Sequence, residues 1–376
     1  MVIDTVAPWS TGGRESRYDQ LLRRIASQKI DVTVYTMKWW DRTPSGPIRY
    51  RAITPRLPLY AGDRRSVVQS AVFALGTVQL LFRPFDVIQA DHMPYLHLLP
   101  LRLIAWLRRV ELVVDWHEYW GPIYWQTYLR RGARVAWAIE RLAMRLPDVI
   151  IPVNVELAGR LIDNGVAPSR IEVVPNGVDR DATIAIPADA RAPELIFVGR
   201  LMAHKRADLA VRALSALRES LPDCTLGIVG DGPELARLQS LARSLKLTDE
   251  VRFLGTYVRV EDLWSLVKGS RVLVFPSERE GFGLVVAESL SLGTPVVVVD
   301  GPANMATQLV EDGVTGSVLH DASPTSIADA VSSWIQSKYE GVEISDRFWR
   351  DHPDLDWNAC AKSYAEILTS HARSRN

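Results

Sequence analysis

The segment with the most chemistry per residue is Pro276-Ser277-Glu278-Arg279-Glu280-Gly281-Phe282-Gly283-Leu284-Val285-Val286-Ala287-Glu288. Gly281 and Gly283 let the backbone approach a ligand. A helix starting there turns unpaired N–H groups and the positive end of its dipole toward an anion such as phosphate. Glu288 falls two turns into that helix among Val285, Val286, Ala287, Leu290 and Leu292. A carboxylate in such surroundings is costly unless something pairs with it. Ribose hydroxyls supply one such pairing; an internal Arg or a solvated helix face is the alternative, and Glu280 with its glycines weighs toward a ligand.

Three further places carry weaker signals. Gly199-Arg200-Leu201-Met202-Ala203-His204-Lys205 follows an apolar run and joins a guanidinium fork to a point charge, a combination that suits a diphosphate, although two basic residues in a loop usually face solvent. Gly12-Gly13 lies between the first apolar run and a helical segment, as a phosphate-cradling turn would, and a glycine pair also makes any tight turn. Gly230-Asp231-Gly232-Pro233 is similar, with Pro at a helix start as a sufficient explanation. His117, in Val113-Val114-Asp115-Trp116-His117-Glu118, stands just past a strand-like run, placed either to bond a sugar hydroxyl or developing charge, or to be satisfied within the fold.

The elements that must position these residues alternate between apolar runs and helical periodicity. Val2 to Val6, Asp31 to Tyr35, Asp86 to Gln89, Leu112 to Asp115 and Val149 to Val153 are predicted strands, with a helix over Glu15 to Ser27. Val178 to Pro193 has no clear period and is predicted to connect two domains. A second series follows at Glu194 to Val198, Thr225 to Val229, Val251 to Leu254, Arg271 to Phe275 and Pro295 to Val299, with helices at Leu209 to Leu217 and Glu234 to Leu245. Strand, turn, helix, strand repeated twice over is the pattern of two doubly wound α/β domains, in which ligands bind beyond the carboxyl ends of the strands. Sequence beyond Ser323 is helical, including Leu355 to Thr369.

Composition narrows the function classes. The chain has 44 Lys+Arg and 44 Asp+Glu, yet residues 1–179 hold 23 against 17 and the remainder 21 against 27. Halves of opposite sign suggest domains with different partners. Two cysteines, Cys224 and Cys360, are too few for a disulfide framework and favour a reducing compartment. No Cys/His cluster has metal-ligand spacing, and there is no Walker-type loop, nucleophile elbow or nucleic-acid signature. The most apolar run, Ser70 to Phe82, is shorter than the ~20 residues of a membrane-spanning helix, and the first residues lack a secretory leader, so a cytoplasmic protein is expected.

Taken together, Pro276 to Glu288 resembles the E-x7-E motif of the family 4 retaining glycosyltransferases. Gly199 to Lys205 resembles their G-R-L-x-x-x-K element, and Pro175-Asn176-Gly177-Val178-Asp179 the segment that closes their first domain. Gly12-Gly13-Arg14-Glu15, Gly230-Asp231-Gly232-Pro233 and Glu311-Asp312-Gly313-Val314-Thr315-Gly316 fall in the same order, so the resemblance spans nearly the whole chain. It implies a GT-B fold: two Rossmann-like doubly wound domains facing a cleft. Residues 1–179 would bind the acceptor, 180–350 the nucleotide-sugar donor, and 351–376 would form a helix crossing back to the first domain. By position, Arg200 and Lys205 would bind the donor diphosphate and Glu288 the ribose. Glu280 with Gly281, Phe282, Gly283 and Leu284 would hold the sugar, with Gly12 and Gly13 also on the donor, and His117 near the transferred group. His117 and Glu280 are thus the candidate catalytic residues, and no metal or other cofactor is expected. Arg206 departs from the family pattern where a glycine often stands, and Gln308 where a glutamate usually does.

The implied reaction moves a hexose from a UDP- or GDP-sugar, with retention, to a glycan or lipid-linked acceptor. Arg42, Arg49, Arg51, Arg56, Arg64, Arg65, Arg102, Arg108, Arg109, Arg130, Arg131 and Arg134, interleaved with Trp39, Trp40, Trp106 and Trp125, suggest peripheral attachment to an anionic membrane at its inner face. An ordinary solvated Arg-rich face is the alternative. A nucleotide-sugar epimerase of the same fold and a non-catalytic nucleotide-sugar-binding subunit are the competing functions.

Overall fold

The computed structural model describes residues 1–372 except 11, 29, 43, 44, 62, 63, 130, 219, 258 and 302. The chain divides into two compact units, one of Met1–Asn176 with Trp357–Asn376, the other of Gly177–Asp356.

In the first unit, strands Thr33–Met37, Ile88–Asp91, Leu112–Trp116 and Val149–Pro152 are almost wholly buried, as parallel strands covered on both faces must be. The first predicted strand contracts to a bridge at Val2, which pairs in parallel with Tyr35 on one side and Ala90 on the other and so joins the sheet into one. Beyond Ile3 the chain turns, because the carboxylate of Asp4 is drawn into an ion-pair network. A further strand, Arg49–Thr54, pairs in parallel with Thr33–Met37 at the edge and exposes its arginines, so no apolar run announces it. Counted along the chain, the strand order is 3-2-1-4-5-6, with the switch point between Val2 and Ile88–Asp91.

The helix Trp357–Ser370 completes this unit's core. Trp357, Ala361, Tyr364 and Leu368 pack with Leu21 and Ile25 of helix Gly13–Ala26 and with Val113, Val149 and Val174. Arg17 is fully buried and donates to the carbonyls of Pro175 (2.6 Å) and Val174 (2.9 Å) and to Asn176 Oδ1 (3.1 Å), which fixes the end of the unit's main segment.

The second unit repeats the order. Its sheet runs Val251–Gly255, Leu226–Val229, Leu195–Val198, Val272–Phe275, Val296–Val299, Gly316–Leu319, again 3-2-1-4-5-6 and parallel throughout. Its switch point lies between Leu195–Val198 and Val272–Phe275. The segment expected to be a featureless connector contains a short helix, Arg180–Ala185, capped by Asp179 whose carboxylate accepts from Ala182 N. Both cysteines are free and buried.

No helix among the described residues is long and apolar enough to cross a membrane. Ser70 to Phe82 instead forms most of a helix, Val67–Thr77, and a 3-10 turn, Val78–Phe82. Trp39, Trp40 and Trp125, expected on an interfacial surface, are buried; Trp39 donates its indole N–H to Asp4 O (2.9 Å), and Trp125 donates to Glu140 Oε2 (2.8 Å). Burying an indole is favourable once its N–H has such a partner. Trp106 alone of those four is exposed. Arg130 lies outside the described residues.

Candidate functional site

Each unit gathers its polar residues at the carboxyl ends of its strands. In the second unit, Gly199 to Lys205 leaves strand Leu195–Val198 and Pro276 to Gly283 leaves strand Val272–Phe275, so the two loops flank the switch point. Glu278 N donates to His204 O (2.9 Å), which ties them together. The ammonium of Lys205 forms an ion pair with the Glu280 carboxylate and stands 5.4 Å from the Phe275 ring centre. Burial works against ionised Glu280, but Lys205 and the Gly281 N–H hold its carboxyl below the usual range. Burial, with the charges of Arg279 and Lys205, pushes the His204 imidazole down to about 4. Arg200 is exposed beside this cluster.

Arg206 sits at φ +51°, left-handed backbone in which a glycine has no side chain to strain. Its guanidinium reaches Glu278 (2.6 Å) and Asp208 (3.2 Å), so the residue grips both loops while occupying a glycine-like conformation. Gln308, the other departure, is exposed on the turn Met305–Leu309.

Helix Leu284–Ser291 begins at Gly283, whose φ is +90° and where an added Cβ would lie 2.4 Å from Ala306 Cβ. Glycine is required there on both counts. Phe282 is buried beneath this turn. Gly230 also has a steric reason to be glycine: its Cβ would fall 1.9 Å from Gly199 O, so the Gly230-Asp231-Gly232-Pro233 loop packs against the Gly199 loop, and the next helix starts only at Leu235. Within the Leu284–Ser291 helix, burial pushes the Glu288 carboxyl up to about 7, with the Trp264 indole opposing that shift.

In the first unit the corresponding strand ends hold an ionic network that sequence patterning did not reveal. Asp4, fully buried, accepts from Arg14 (3.0 Å), Arg65 (2.9 Å) and Gln69 (3.2 Å). Arg14 also meets Glu15 (3.1 Å) and Asp91 (3.0 Å). Asp91 further lies 3.0 Å from His92 Nδ1 and 4.0 Å from His117 Nε2. Despite its burial, Arg14, His117 and His92 hold the Asp91 carboxyl far below the usual carboxylate range. Burial drives the His117 imidazole well below its ordinary value, and Asp91 offsets this only in part, so the ring is neutral at physiological pH. Asp91, His92 and His117 are the group of potential metal-ligating side chains found among the described residues. The Arg14 guanidinium already supplies positive charge to that carboxylate. Asp91-His92 ends one strand and His117 the next, so only strand pairing brings them together.

Gly12 and Gly13 stand at the exposed start of helix Gly13–Ala26, in the first unit, apart in the chain's division from the other expected donor residues. Near them a cavity of about 560 Å³ is lined by Trp9, Ser10, Trp39, Arg56, Leu57 and Tyr60 among others, with the Arg56 guanidinium 5.0 Å from the Trp39 ring centre.

Residues 11–182 match the family model described as Glycosyltransferase Family 4, and residues 180–348 that described as Glycosyl transferases group 1. Among curated relatives, the GDP-mannose-dependent alpha-(1-6)-phosphatidylinositol monomannoside mannosyltransferase of Mycolicibacterium smegmatis is 29% identical, over 68% of this chain and 74% of its own. The D-inositol 3-phosphate glycosyltransferase 2 of Catenulispora acidiphila is also 29% identical, over 95% of this chain and 90% of its own. A D-inositol 3-phosphate glycosyltransferase of Kineococcus radiotolerans is 30% identical, but the match spans only 59% of that relative's length. Among solved structures, WaaG, a glycosyltransferase involved in lipopolysaccharide biosynthesis, superposes with TM-score 0.76 at 16% identity over 98% of both chains. Anabaena Alr3699/HepE, solved with UDP-glucose, gives TM-score 0.74 at 20% identity over 98% of both. With both family models matched in tandem and that fold repeated in its structural neighbours, the chain belongs to glycosyltransferase family 4 and has the GT-B fold.

Proposed function

We propose that this protein transfers a hexose, with retention of anomeric configuration, from a UDP- or GDP-hexose to a hydroxyl of a glycan or lipid-linked acceptor. The observation that carries the reading is the convergence, at the second unit's switch point, of Lys205, Glu280 and the glycine-started helix Leu284–Ser291, the helix that also carries Glu288. The relatives' names supply the substrate classes: a GDP-mannose donor in one, an inositol phosphate acceptor in others, and UDP-glucose bound in a structural neighbour.

In this proposal the leaving nucleoside diphosphate gains charge as the glycosidic bond breaks. Arg200, Lys205 and the free N–H groups at the helix start stabilise it without a resident metal. Glu280, ionised, accepts from sugar hydroxyls. Glu288 accepts from the ribose, whose hydroxyls replace the water that burial removes. Neutral His117 bonds a hydroxyl of the transferred sugar, and the aromatic-walled cavity at Trp39 holds part of the acceptor. Retention follows from attack on the face the diphosphate leaves, through an oxocarbenium-like state, the acceptor hydroxyl giving its proton to the departing diphosphate, with Glu280 positioning the sugar rather than bonding to it.

A thermal-shift panel of UDP, GDP, ADP and their sugar conjugates tests the donor, since a ligand of the native state raises the melting temperature by mass action. A shift with one nucleotide family supports the reading, and proton NMR of the product's anomeric centre then tests retention. No shift with any nucleotide, or sugar conversion without acceptor, overturns it in favour of a binding subunit or an epimerase.

A further inference from the structure

A surface helix of a globular domain ordinarily turns its apolar residues inward. Helix Val67–Thr77 does so only in part: Phe73 and Ala74 are buried together with Gln69, Ser70 and Thr77, whereas Val67, Val68 and Leu75 are 74%, 70% and 72% exposed. The stripe continues through exposed Val78 to Phe82, which is 80% exposed at the end of the 3-10 turn Val78–Phe82. Helix Leu98–Arg108, which packs beside both elements, exposes Leu99, Leu103, Trp106 and Leu107 at helical spacing. Residues 66–85 and 93–110 contain no Asp or Glu, and their charged residues are Arg83, Arg102, Arg108 and Arg109. Arg102 is paired with Asp148, and Arg108 lies over the Phe85 ring. The residues placed in the proposed transfer reaction do not belong to this face.

We propose that this face docks on an anionic lipid bilayer. Phe82, Leu75 and Trp106 enter the boundary between headgroups and acyl chains, and Arg83 and Arg109 meet lipid phosphates. An acid-free apolar face with a cationic fringe is the composition that interfacial helices use, and an anionic leaflet supplies the charge it lacks. A second copy of the chain is the poorer occupant, because a two-fold contact sets the same patch against itself and arginine against arginine. Of the residues expected on a membrane surface, Trp106, Arg108 and Arg109 belong to this face, whereas Trp39 and Trp40 are buried. The inference adds a partner surface to the proposed transferase and does not depend on its donor.

The test sediments the full chain with vesicles of phosphatidylglycerol and phosphatidylcholine, and with phosphatidylcholine alone. The wild type is expected to sediment with the anionic vesicles, and more weakly as salt rises. The double variant Phe82→Ser/Trp106→Ser, altered only at exposed positions, is expected to bind about tenfold more weakly or worse. Its far-UV circular dichroism and melting temperature are expected to stay unchanged. Absence of sedimentation, or equal binding by the double variant, overturns the proposal. So does concentration-dependent self-association that the variant abolishes, which assigns the face to a second copy. The nucleotide shift without vesicles reports on the transferase reading separately.

Discussion

Replacing Glu288 with Gln is expected to stabilise the protein against unfolding at alkaline pH and to have much less effect in acid. Burial raises the Glu288 carboxyl from 4.5 to about 7. Stability from this group is therefore full below pH 4.5 and is lost as pH climbs through about 7, because the unfolded chain releases the proton before the folded one does. At about 1.4 kcal/mol per pKa unit the full shift corresponds to roughly 3 kcal/mol above neutrality and about 1 kcal/mol at pH 5. Residual solvent access to the side chain reduces both figures, so the advantage of the Gln variant over wild type should grow by about 2 kcal/mol between pH 5 and pH 8. Urea unfolding of both proteins at the two pH values measures it, and groups common to both cancel in the difference. A difference that does not change with pH would refute the argument that Glu288 is desolvated in the unliganded protein. The same variant should bind nucleoside diphosphate less well, since a neutral amide is a poorer acceptor for hydroxyls than a carboxylate.

Four other outcomes follow from particular contacts. Lys205→Ala leaves Glu280 without its cation and, in the proposed reaction, the diphosphate without a charge-assisted bond; nucleotide affinity measured by calorimetry should fall about 10–100-fold, and unchanged affinity removes Lys205 from the donor site. Gly283→Ala places a Cβ against Ala306 in left-handed backbone and should cost about 2–4 kcal/mol in urea unfolding, from backbone strain and overpacking together. Tyr364→Phe removes the hydroxyl that donates to Asp115 Oδ2 at 2.8 Å. Burial raises that carboxyl from 3.8 to about 6, and since the lost bond serves its ionised form, melting should fall more at pH 8 than at pH 4.5, the reverse order counting against the pairing. The ring resonances of His117 should not titrate between pH 6 and 8, because its imidazole is neutral throughout that range; a midpoint near 6.5 would show that burial is not dominant.

Most strands of both sheets were legible because a parallel strand buried on both faces reads as an unbroken apolar run, as Val296–Val299 does. Gly316–Leu319 and Arg49–Thr54 were not, since both are edge strands with half-exposed or exposed positions, Arg49, Arg51 and Ala52 in the latter, and the pairing of each is set by its neighbour. Asp4 lies inside the expected strand Val2 to Val6, yet the pairing stops before it, because Asp4 accepts from Arg14 and from Arg65, some sixty positions away, a distance that local periodicity cannot span. Ser70 to Phe82 shows the opposite failure: its apolar content was plain, but hydrophobic residues alone do not say which side of a helix faces the core. Gln69, Ser70 and Thr77 share the inner face with Phe73 and Ala74, while Val67, Val68 and Leu75 face outward.

Two units with one strand order carry differently charged switch points, which suits them to the different ligands of the proposed function. In the first, Arg14 is matched by Asp4, Glu15 and Asp91, and His117 is held neutral, so the strand ends offer hydrogen-bonding groups with little uncompensated positive charge. Such a surface favours hydroxyl-rich ligands over phosphate. In the second, Lys205 faces one carboxylate, Arg200 and Arg279 stand in the same two loops, and helix Leu284–Ser291 adds the positive end of its dipole. A ligand carrying two phosphates gains most from that end of the fold, and the half-buried, partly protonated Glu288 beyond it favours hydroxyls over a third charge. In the proposed function the diphosphate is thus met where the second unit gathers cationic groups, and the hydroxyls where its carboxylates stand.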